Sequence, residues 1–328
     1  MQSLEPIRLN GLTIDFPVAL GPMAGVTDLP FRLLCREMGC GVFYTEMISA
    51  KALHYRNKNT AALMATDVGE HPLAIQLFGS DPDIIAEEAL KIEDRCDFIN
   101  LNFGCPVPKI VKNGEGSFLL SQPETAEKIF KKLTKTVHKP VSVKMRLSYS
   151  GDPEEGLKTA KIAAESGISM LEVHGRTRDQ FYSGKADREG IRKIVRAVDI
   201  PVLANGDISS AADAEEMLAE TGAAGLMVGR ASMGNPWIFK ELRSYFETGE
   251  TYEKPALPEI VGMALRHARM LTEFKGERIA VMEMRKHAAW YLQGQKDTAK
   301  IRRAINEVAS YSELEGLLLK LIDKAGNL

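Results

Sequence analysis

"FINLNFGCPVPK", residues 98–109, is an apolar run that turns polar, reaches a glycine, and sets a cysteine between that glycine and a proline. Seven other stretches share its opening: "VALGPM" (18–23), "VFYTEM" (42–47), "LAIQLFG" (73–79), "VSVKMR" (141–146), "LEVHG" (171–175), "PVLANGD" (201–207) and "GLMVGR" (225–230). Each starts apolar, and most finish on polar or small residues: Thr45 and Glu46, Gln76, Asn102, Lys144, His174, Asn205, Arg230. Runs this apolar suit strands buried on both faces, as in a parallel sheet. Helical stretches lie between them. In "DPDIIAEEALKIED" (81–94), Asp81 can cap, Pro82 fits the first turn, and Ile84, Ile85, Ala89, Leu90 and Ile92 form an apolar face. "QPETAEKIFKKLTKTV" (122–137) and "SAADAEEMLAET" (210–221) repeat the plan. Strands separated by helical crossovers predict a TIM (β/α)₈ barrel, with a doubly wound sheet as the rival. Polar residues at so many C-terminal strand ends favour the barrel, where they converge on one mouth.

After the last strand, "GNPWIFKELRSYFE" (234–247) reads as a barrel-closing helix, and "TGETYEKPALP" (248–258) breaks regularity at Gly249, Pro255 and Pro258. This divides the chain into a barrel domain, 1–250, and a C-terminal helical domain, 256–328. In the latter, "EIVGMALRHARMLTEFKG" (259–276), "ERIAVMEMRKHAAWYLQG" (277–294), "KDTAKIRRAINEVAS" (296–310) and "SELEGLLLKLIDKAG" (312–326) predict a small helical bundle. Gly276 and Gly294 are expected helix stops.

Of 328 residues, 45% are hydrophobic and 26% charged, which argues against disorder. The formal net charge of −2 gives no global field towards nucleic acid, so phosphate contacts must come from a local patch. From Pro255 to Ser310 ten Lys/Arg face six Asp/Glu, with clusters at Lys300, Arg302 and Arg303 and at Arg285, Lys286 and His287. Charge alone reads equally as a solvated helix face or a phosphate-binding one. Cys35, Cys40, Cys96 and Cys105 show neither CxxC spacing nor a histidine cluster, so no metal site is expected. Nor do they form a secreted disulfide framework. "MQSLEPIRLNG" lacks a signal-peptide core, and no apolar run nears the roughly 18 residues of a membrane span. These features predict a reducing, cytoplasmic setting with Cys105 a free thiol.

The last two strands end in "NGD" (205–207) and "GR" (229–230). In many barrels the loops after strands seven and eight bind a phosphate; Gly206 and Gly229 would let backbone amides approach it, and Arg230 would add a charge-assisted bond. The alternative is ordinary loop glycines. Small residues in "GPMAG" (21–25), the Gln76 amide and the Lys144 ammonium suit a flat heterocycle with donors and acceptors. Flavin mononucleotide fits, with its ring against Pro22, Met23 and Ala24, Gln76 on its polar edge and Lys144 stabilising its reduced anion. Lys144 as a plain ion-pair partner is the competing reading. At the end of its strand, Cys105 points to the same mouth. A thiol of ordinary pKa, near ~8.5, is mostly protonated at neutral pH. It can serve as a general acid, worth roughly 10²–10⁴ in rate. A nucleophilic role would want an adjacent base, for which His174 is a candidate.

"PMAGVTD" (22–28), "QLFG" (76–79), "NFGCP" (102–106), "KMR" (144–146), "VHGRT" (173–177), "NGDI" (205–208), "VGRASMGNPW" (228–237) and "MRKHAAWYLQG" (284–294) together resemble the tRNA-dihydrouridine synthases. They are most similar to the bacterial DusB-type branch. The resemblance implies a flavoprotein oxidoreductase that reduces the C5–C6 bond of uridines in tRNA. NADPH would reduce FMN, hydride would pass from flavin N5 to uracil C6, and Cys105 would protonate C5. By position, Pro22, Met23, Ala24, Gln76, Lys144, Asn205, Gly206, Asp207, Gly229 and Arg230 would bind FMN, with His174 near it. Asn102 would hold the uracil, with Arg176 and Arg178 as further candidates. The helical domain would grip tRNA through Arg285, Lys286, Arg302 and Arg303, helped by rim residues such as Lys109 and Lys112.

Two stretches depart from the family pattern: Glu115 and Phe118 in "VKNGEGSFLL" (111–120), where small residues are common, and Arg188 in "GKADREG" (184–190), where tryptophan is common. Both are expected near the RNA-facing rim. A flavin barrel acting on a free pyrimidine, similar to dihydroorotate dehydrogenases, is one rival, and the basic helical domain weighs against it. A non-catalytic RNA-binding flavoprotein is another, and the set Cys105, Lys144 and His174 weighs against that.

Overall fold

The computed structural model describes residues 4–57 and 60–325. An antiparallel hairpin opens it, β1 (Ile7–Leu9) with β2 (Leu12–Ile14). There follow β3 (Val18–Leu20), β4 (Phe43–Tyr44), β5 (Ile48–Ser49), β6 (Leu73–Phe78), β7 (Phe98–Phe103), β8 (Val141–Ser148), β9 (Met170–Thr177), β10 (Val202–Asn205) and β11 (Gly225–Val228). The sheet order is β3-β11-β10-β9-β8-β7-β6-β4, with every pairing parallel. A parallel bridge from Ala19 to Val42 joins β4 back to β3 and closes the barrel. All eight predicted runs are barrel strands. The opening hairpin and β5, which pairs with the end of β6, lie outside them.

Alternation along each strand explains both cores. One set of positions (Leu20, Phe43, Ile75, Leu101, Val143, Leu171, Ala204, Val228) packs outwards against the helices. The other set points inwards. Its lower layer is apolar: Ala19, Val42, Ala74, Phe98, Met170, Leu203 and Met227 pack with Ile7, Leu9 and Ile14 of the hairpin, which plugs the barrel floor. Two residues further along, the same columns turn polar: Phe98 gives way to Asn100 and Asn102, Met170 to Glu172, His174 and Arg176, and Leu203 to Asn205. Water is kept from the floor, and the chemistry collects at the C-terminal mouth.

The crossover helices begin where their caps predict. Asp81 Oδ1 accepts from the amides of Asp83 and Ile84, at 2.9 and 3.1 Å, and Pro82 opens helix Pro82–Ile92. Helices Pro123–Thr136 and Ala211–Thr221 occupy the predicted stretches, the second ending on left-handed Gly222.

Beyond helix Ile238–Thr248, the chain forms helices Leu257–Lys275, Glu277–Tyr291, Ala299–Ile305 and Tyr311–Ala325. Gly276, at φ +81°, separates the first two, as predicted. Their core, with Val261, Leu271, Met284, Leu314 and Leu318, also takes in Leu34 and Trp237 from the barrel side. Helix Leu29–Glu37 carries Phe31, which stacks on His267 at 5.5 Å between ring centroids. Lys275 bridges Asp28 at 2.6 Å and Glu283 at 2.7 Å, and Lys286 Nζ donates to the Gly25 carbonyl at 2.6 Å. The bundle is thereby fastened to the first loop of the barrel mouth. Among the described residues, no helix is long and apolar enough to cross a membrane.

Candidate active site

The Cys105 loop is built by Asn102. Its Oδ1 accepts from the amides of Gly104, at 3.1 Å, and Cys105, at 2.8 Å, forming a side-chain turn at the end of β7. From the other side, Ser117 donates twice to the Cys105 carbonyl, from its amide at 3.1 Å and its hydroxyl at 2.9 Å. Gly116, at φ +63°, lets that segment approach: a Cβ there would lie 2.8 Å from the Cys105 carbonyl oxygen. Arg146 holds the Gly104 carbonyl at 2.9 Å and reaches across to those of Thr177, at 2.9 Å, and Phe181, at 2.8 Å. The loop backbone thus fixes Cys105, whose sulfur takes a hydrogen bond from the Val107 amide. Burial pushes the thiol above its ordinary range, opposed by the Val107 hydrogen bond and then by the fields of Arg146 and Lys144. All four cysteines are free thiols.

Lys144 projects from β8 with its Nζ 3.3 Å from Asn205 Oδ1, while Asn205 Nδ2 donates to the Met227 carbonyl at 2.7 Å. No carboxylate forms an ion pair with this ammonium among the described residues, and burial lowers its pKa to about 8. His174 is kept neutral, chiefly by burial and then by the fields of Lys144, Arg146, Arg176 and Arg230. Its Nε2 lies 3.4 Å from Arg176 Nη1, so its polar partner is an arginine and not Cys105.

Arg176 is buried, bridging Asp207 at 2.7 Å and donating to the carbonyls of Ser183 and Gly184. Asp207 also accepts from Arg230 at 2.9 Å and from the Ala186 amide at 2.8 Å. These contacts hold its carboxyl below the usual range. Gly206 stands at φ +134° with Ala186 2.6 Å from its virtual Cβ, so no side chain fits there. At Gly229 a Cβ would meet only Met23 Sδ, at 3.9 Å. Pro22 and Met23 are half-buried and Ala24 exposed on the first mouth loop.

The remaining sequence candidates are dispersed. Arg178 sits over the Tyr149 ring at 5.4 Å and pairs with Asp179. Lys109, Arg302 and Arg303 are exposed, Arg285 donates to the Val308 carbonyl at 2.8 Å, and Lys286 holds Gly25. Of the departures, Glu115 is buried, Phe118 packs edge-on to Tyr149, and Arg188 pairs with Glu216 and Glu220 on the neighbouring helix. Among the described residues, the one grouping with metal-ligand geometry is His54, Glu87 and Glu88, on the outer layer. The Lys91 ammonium already holds both of its carboxylates, at 2.6 and 2.7 Å.

Sequence reading passed over four groups. Asn100, Glu172 and Arg146 lie two residues from singled-out positions on their strands, and period-two alternation would have marked them as inward-facing. Tyr182 has no such signal: a loop brings it 4.7 Å from the Arg230 guanidinium, beside Arg146 and 6.2 Å from the His174 ring.

The dihydrouridine synthase family profile matches residues 18–325. The chain belongs to that family. It is 38% identical over 304 residues to a probable tRNA-dihydrouridine synthase of Rickettsia conorii, covering 92% of this chain and 91% of the relative. It is 37% identical over 306 residues to tRNA-dihydrouridine synthase B of Pseudomonas aeruginosa, covering 93% and 92%. A third relative, probable tRNA-dihydrouridine synthase 1 of Synechocystis, is 39% identical over 323 residues, covering 98% and 90%. Among solved structures, histamine dehydrogenase from Rhizobium sp. 4-9 shares the fold at TM-score 0.56 and 14% identity. That match spans 87% of this chain and half of the dehydrogenase.

Proposed function

We infer that this chain reduces uridines in tRNA to 5,6-dihydrouridine, with FMN in the barrel mouth and NADPH as reductant. The observation that carries the reading is Cys105: a thiol held protonated at the mouth of a barrel in a family of dihydrouridine synthases. The mouth suits FMN on its own chemistry. Lys144, Arg146, Arg176 and Arg230 gather around His174, against Asp207 at the rim and Glu172 below, which leaves positive charge for an anionic ligand. Gly206 and Gly229 keep the backbone bare beside Arg230, where a phosphate would sit. Pro22, Met23 and Ala24 offer a small, partly apolar ledge for a flat ring, with Gln76 and Asn205 in reach of its polar edge.

When bound, FMN supplies the hydride that adds to C6 of the uracil and is restored by NADPH. The chain's own residues do the rest. As negative charge develops at C5, Cys105 gives up its proton there, and the thiolate left behind lies in the fields of Arg146 and Lys144. Asn102 presents an amide to the uracil from the turn that carries Cys105. The target base must leave its stack in the RNA, at a cost of a few kcal/mol. Phosphate contacts to Arg302, Arg303 and Lys109 would help offset that cost.

The direct test is anaerobic. Reduced enzyme is mixed with unmodified tRNA, orotate or free uridine, and the return of oxidised-flavin absorbance is followed. Rapid reoxidation by tRNA alone is expected. Reoxidation by orotate instead would move the chain to the enzymes of free pyrimidines.

A further inference from the structure

Beneath the mouth, four amide or carboxylate side chains on three strands form one hydrogen-bonded line along the barrel interior. Asn102 Nδ2 donates to Gln76 Oε1 at 2.9 Å, and Gln76 Nε2 donates to Asn100 Oδ1 at 2.6 Å. Asn100 Nδ2 donates to Glu172 Oε2 at 2.8 Å and to Ser142 Oγ at 2.7 Å. Tyr44 donates its hydroxyl to Glu172 Oε1 at 2.7 Å. Gln76, Asn100, Ser142, Glu172 and Tyr44 are all fully buried.

The line has a direction, and both ends impose it. At the top, Asn102 Oδ1 faces two backbone N–H groups, which can only donate. At the bottom, burial raises the Glu172 pKa to about 7, and both of its oxygens accept here, from Tyr44 and from Asn100. Turning over any one amide between them sets a donor against a donor at one junction and an acceptor against an acceptor at the next. Buried polar groups mismatched in this way are strongly disfavoured. Of the two ends, only the carboxylate is supplied by a side chain that mutation can remove.

We propose that Glu172 is a positioning residue: its carboxylate anchors the line through Asn100 and so holds Asn100 and Gln76 in place beneath Asn102, whose own orientation the backbone amides set. The proposal rests on the reading of Gln76 as a flavin contact and Asn102 as a uracil contact. With the line intact, the Asn102 carbonyl is fully committed, and its remaining N–H lies against Met47 Sδ at 3.9 Å, a weak acceptor that a ligand carbonyl would displace. Gln76 likewise keeps one N–H. The mouth therefore offers a donor from Asn102, with the fully buried Gln76 directly behind it, suited to the carbonyl oxygen of a pyrimidine.

The test uses Glu172→Leu and Glu172→Gln in the full-length holoenzyme. FMN dissociation is read by the fluorescence of released flavin, kcat and KM for tRNA are measured separately, and thermal midpoints are recorded alongside. Glutamine can give its carbonyl to Asn100 and turn its amide nitrogen to the Tyr44 hydroxyl, which can accept, so Glu172→Gln is expected within about threefold of wild type. Glu172→Leu is expected to weaken FMN at least tenfold and lower kcat at least tenfold. Asn100→Leu should show the same loss, and the double variant no further loss, because both interrupt one line. A role in stability alone would move the thermal midpoint and leave FMN affinity and kcat unchanged, and that result overturns the proposal. So does a glutamine variant as impaired as the leucine one. If Glu172→Leu does not accumulate, wild-type FMN affinity in Asn100→Leu overturns it equally. Gln76→Ala separates the levels: if it weakens FMN while Glu172→Leu does not, the site reading stands and this proposal falls, whereas unchanged affinity in Gln76→Ala removes both.

Discussion

Replacing Cys105 by alanine should separate the two halves of the reaction. The loop is held chiefly by the bonds from the Gly104 and Cys105 amides to Asn102 and from Ser117 to the Cys105 carbonyl, with the Val107 amide directed at the sulfur. Removing it deletes one buried atom, a loss on the order of 1 kcal/mol of stability. The loop and the flavin ledge should remain. The chemical loss is far larger. A positioned general acid contributes roughly 10²–10⁴ in rate, or about 2.7–5.4 kcal/mol of barrier at about 1.36 kcal/mol per decade. Anaerobic stopped-flow should show flavin reduction by NADPH unchanged in Cys105→Ala, and reoxidation by tRNA slowed by that factor. The pH dependence follows from the same environment. Burial raises the thiol's pKa, so the acid form persists through the ordinary thiol range and is lost only as pH rises through the raised value. Lys144 loses its charge near pH 8 in both enzymes, so the thiol's own signature is a further decline above pH ~8.5 that is present in wild type and absent from Cys105→Ala. Reoxidation of Cys105→Ala at the wild-type rate would refute the assignment of the proton donor.

Arg32→Met strands the buried Glu70 carboxylate, which Arg32 meets at 2.6 Å, and should lower urea stability by about 3–5 kcal/mol; adding Glu70→Leu should recover most of it. Gly116→Ala strains a φ of +63° and pushes on the Cys105 carbonyl, so kcat should fall at least tenfold with FMN content retained. Arg302→Ala with Arg303→Ala should reduce the slope of log affinity for tRNA against log salt by about 2, read from filter binding between 50 and 200 mM salt. Burial holds His267 down to about 4 and His287 to about 2. Unfolded histidines protonate near pH ~6.5, so their stabilising effect is complete above that pH and is lost as pH falls below it towards those values. His287→Leu should flatten the fall in urea midpoint between pH 8 and 5.

The barrel was legible because buried parallel strands carry an unmistakable load of Val, Ile and Leu, and because their polar ends recur at one end of each run. The opening hairpin was not, since "IRLNGLTI" is short, and its role as a plug depends on a barrel floor that no local pattern announces. Cys105, Lys144, Asn205 and Arg230 could be picked out because a polar residue at an apolar strand's end is conspicuous. Asn100 and Glu172 sit deeper, inside runs that read as core, and reveal themselves only once the two faces of each strand are separated. The sequence assigns Asp207 to FMN and Arg176 to the uracil; the ion pair that joins them requires two loops to meet, which spacing does not encode. Arg285 and Lys286 show another limit: charge alone leaves a solvated face and a phosphate-binding face equally open, and neither reading includes the backbone carbonyls that both side chains hold.

Lys275 on Asp28 and Lys286 on Gly25 tie the C-terminal bundle to the loop that follows the first barrel strand. Leu34 and Trp237 are held in common by both parts. A joint of this kind has no slack. Tugging the bundle aside would draw Gly25, and with it the ledge of Pro22, Met23 and Ala24, out of line before any covalent tether came taut. Heating should therefore dismantle barrel and bundle in a single step, and a chain cut near residue 250 should lose the shape of its first loop along with its helices.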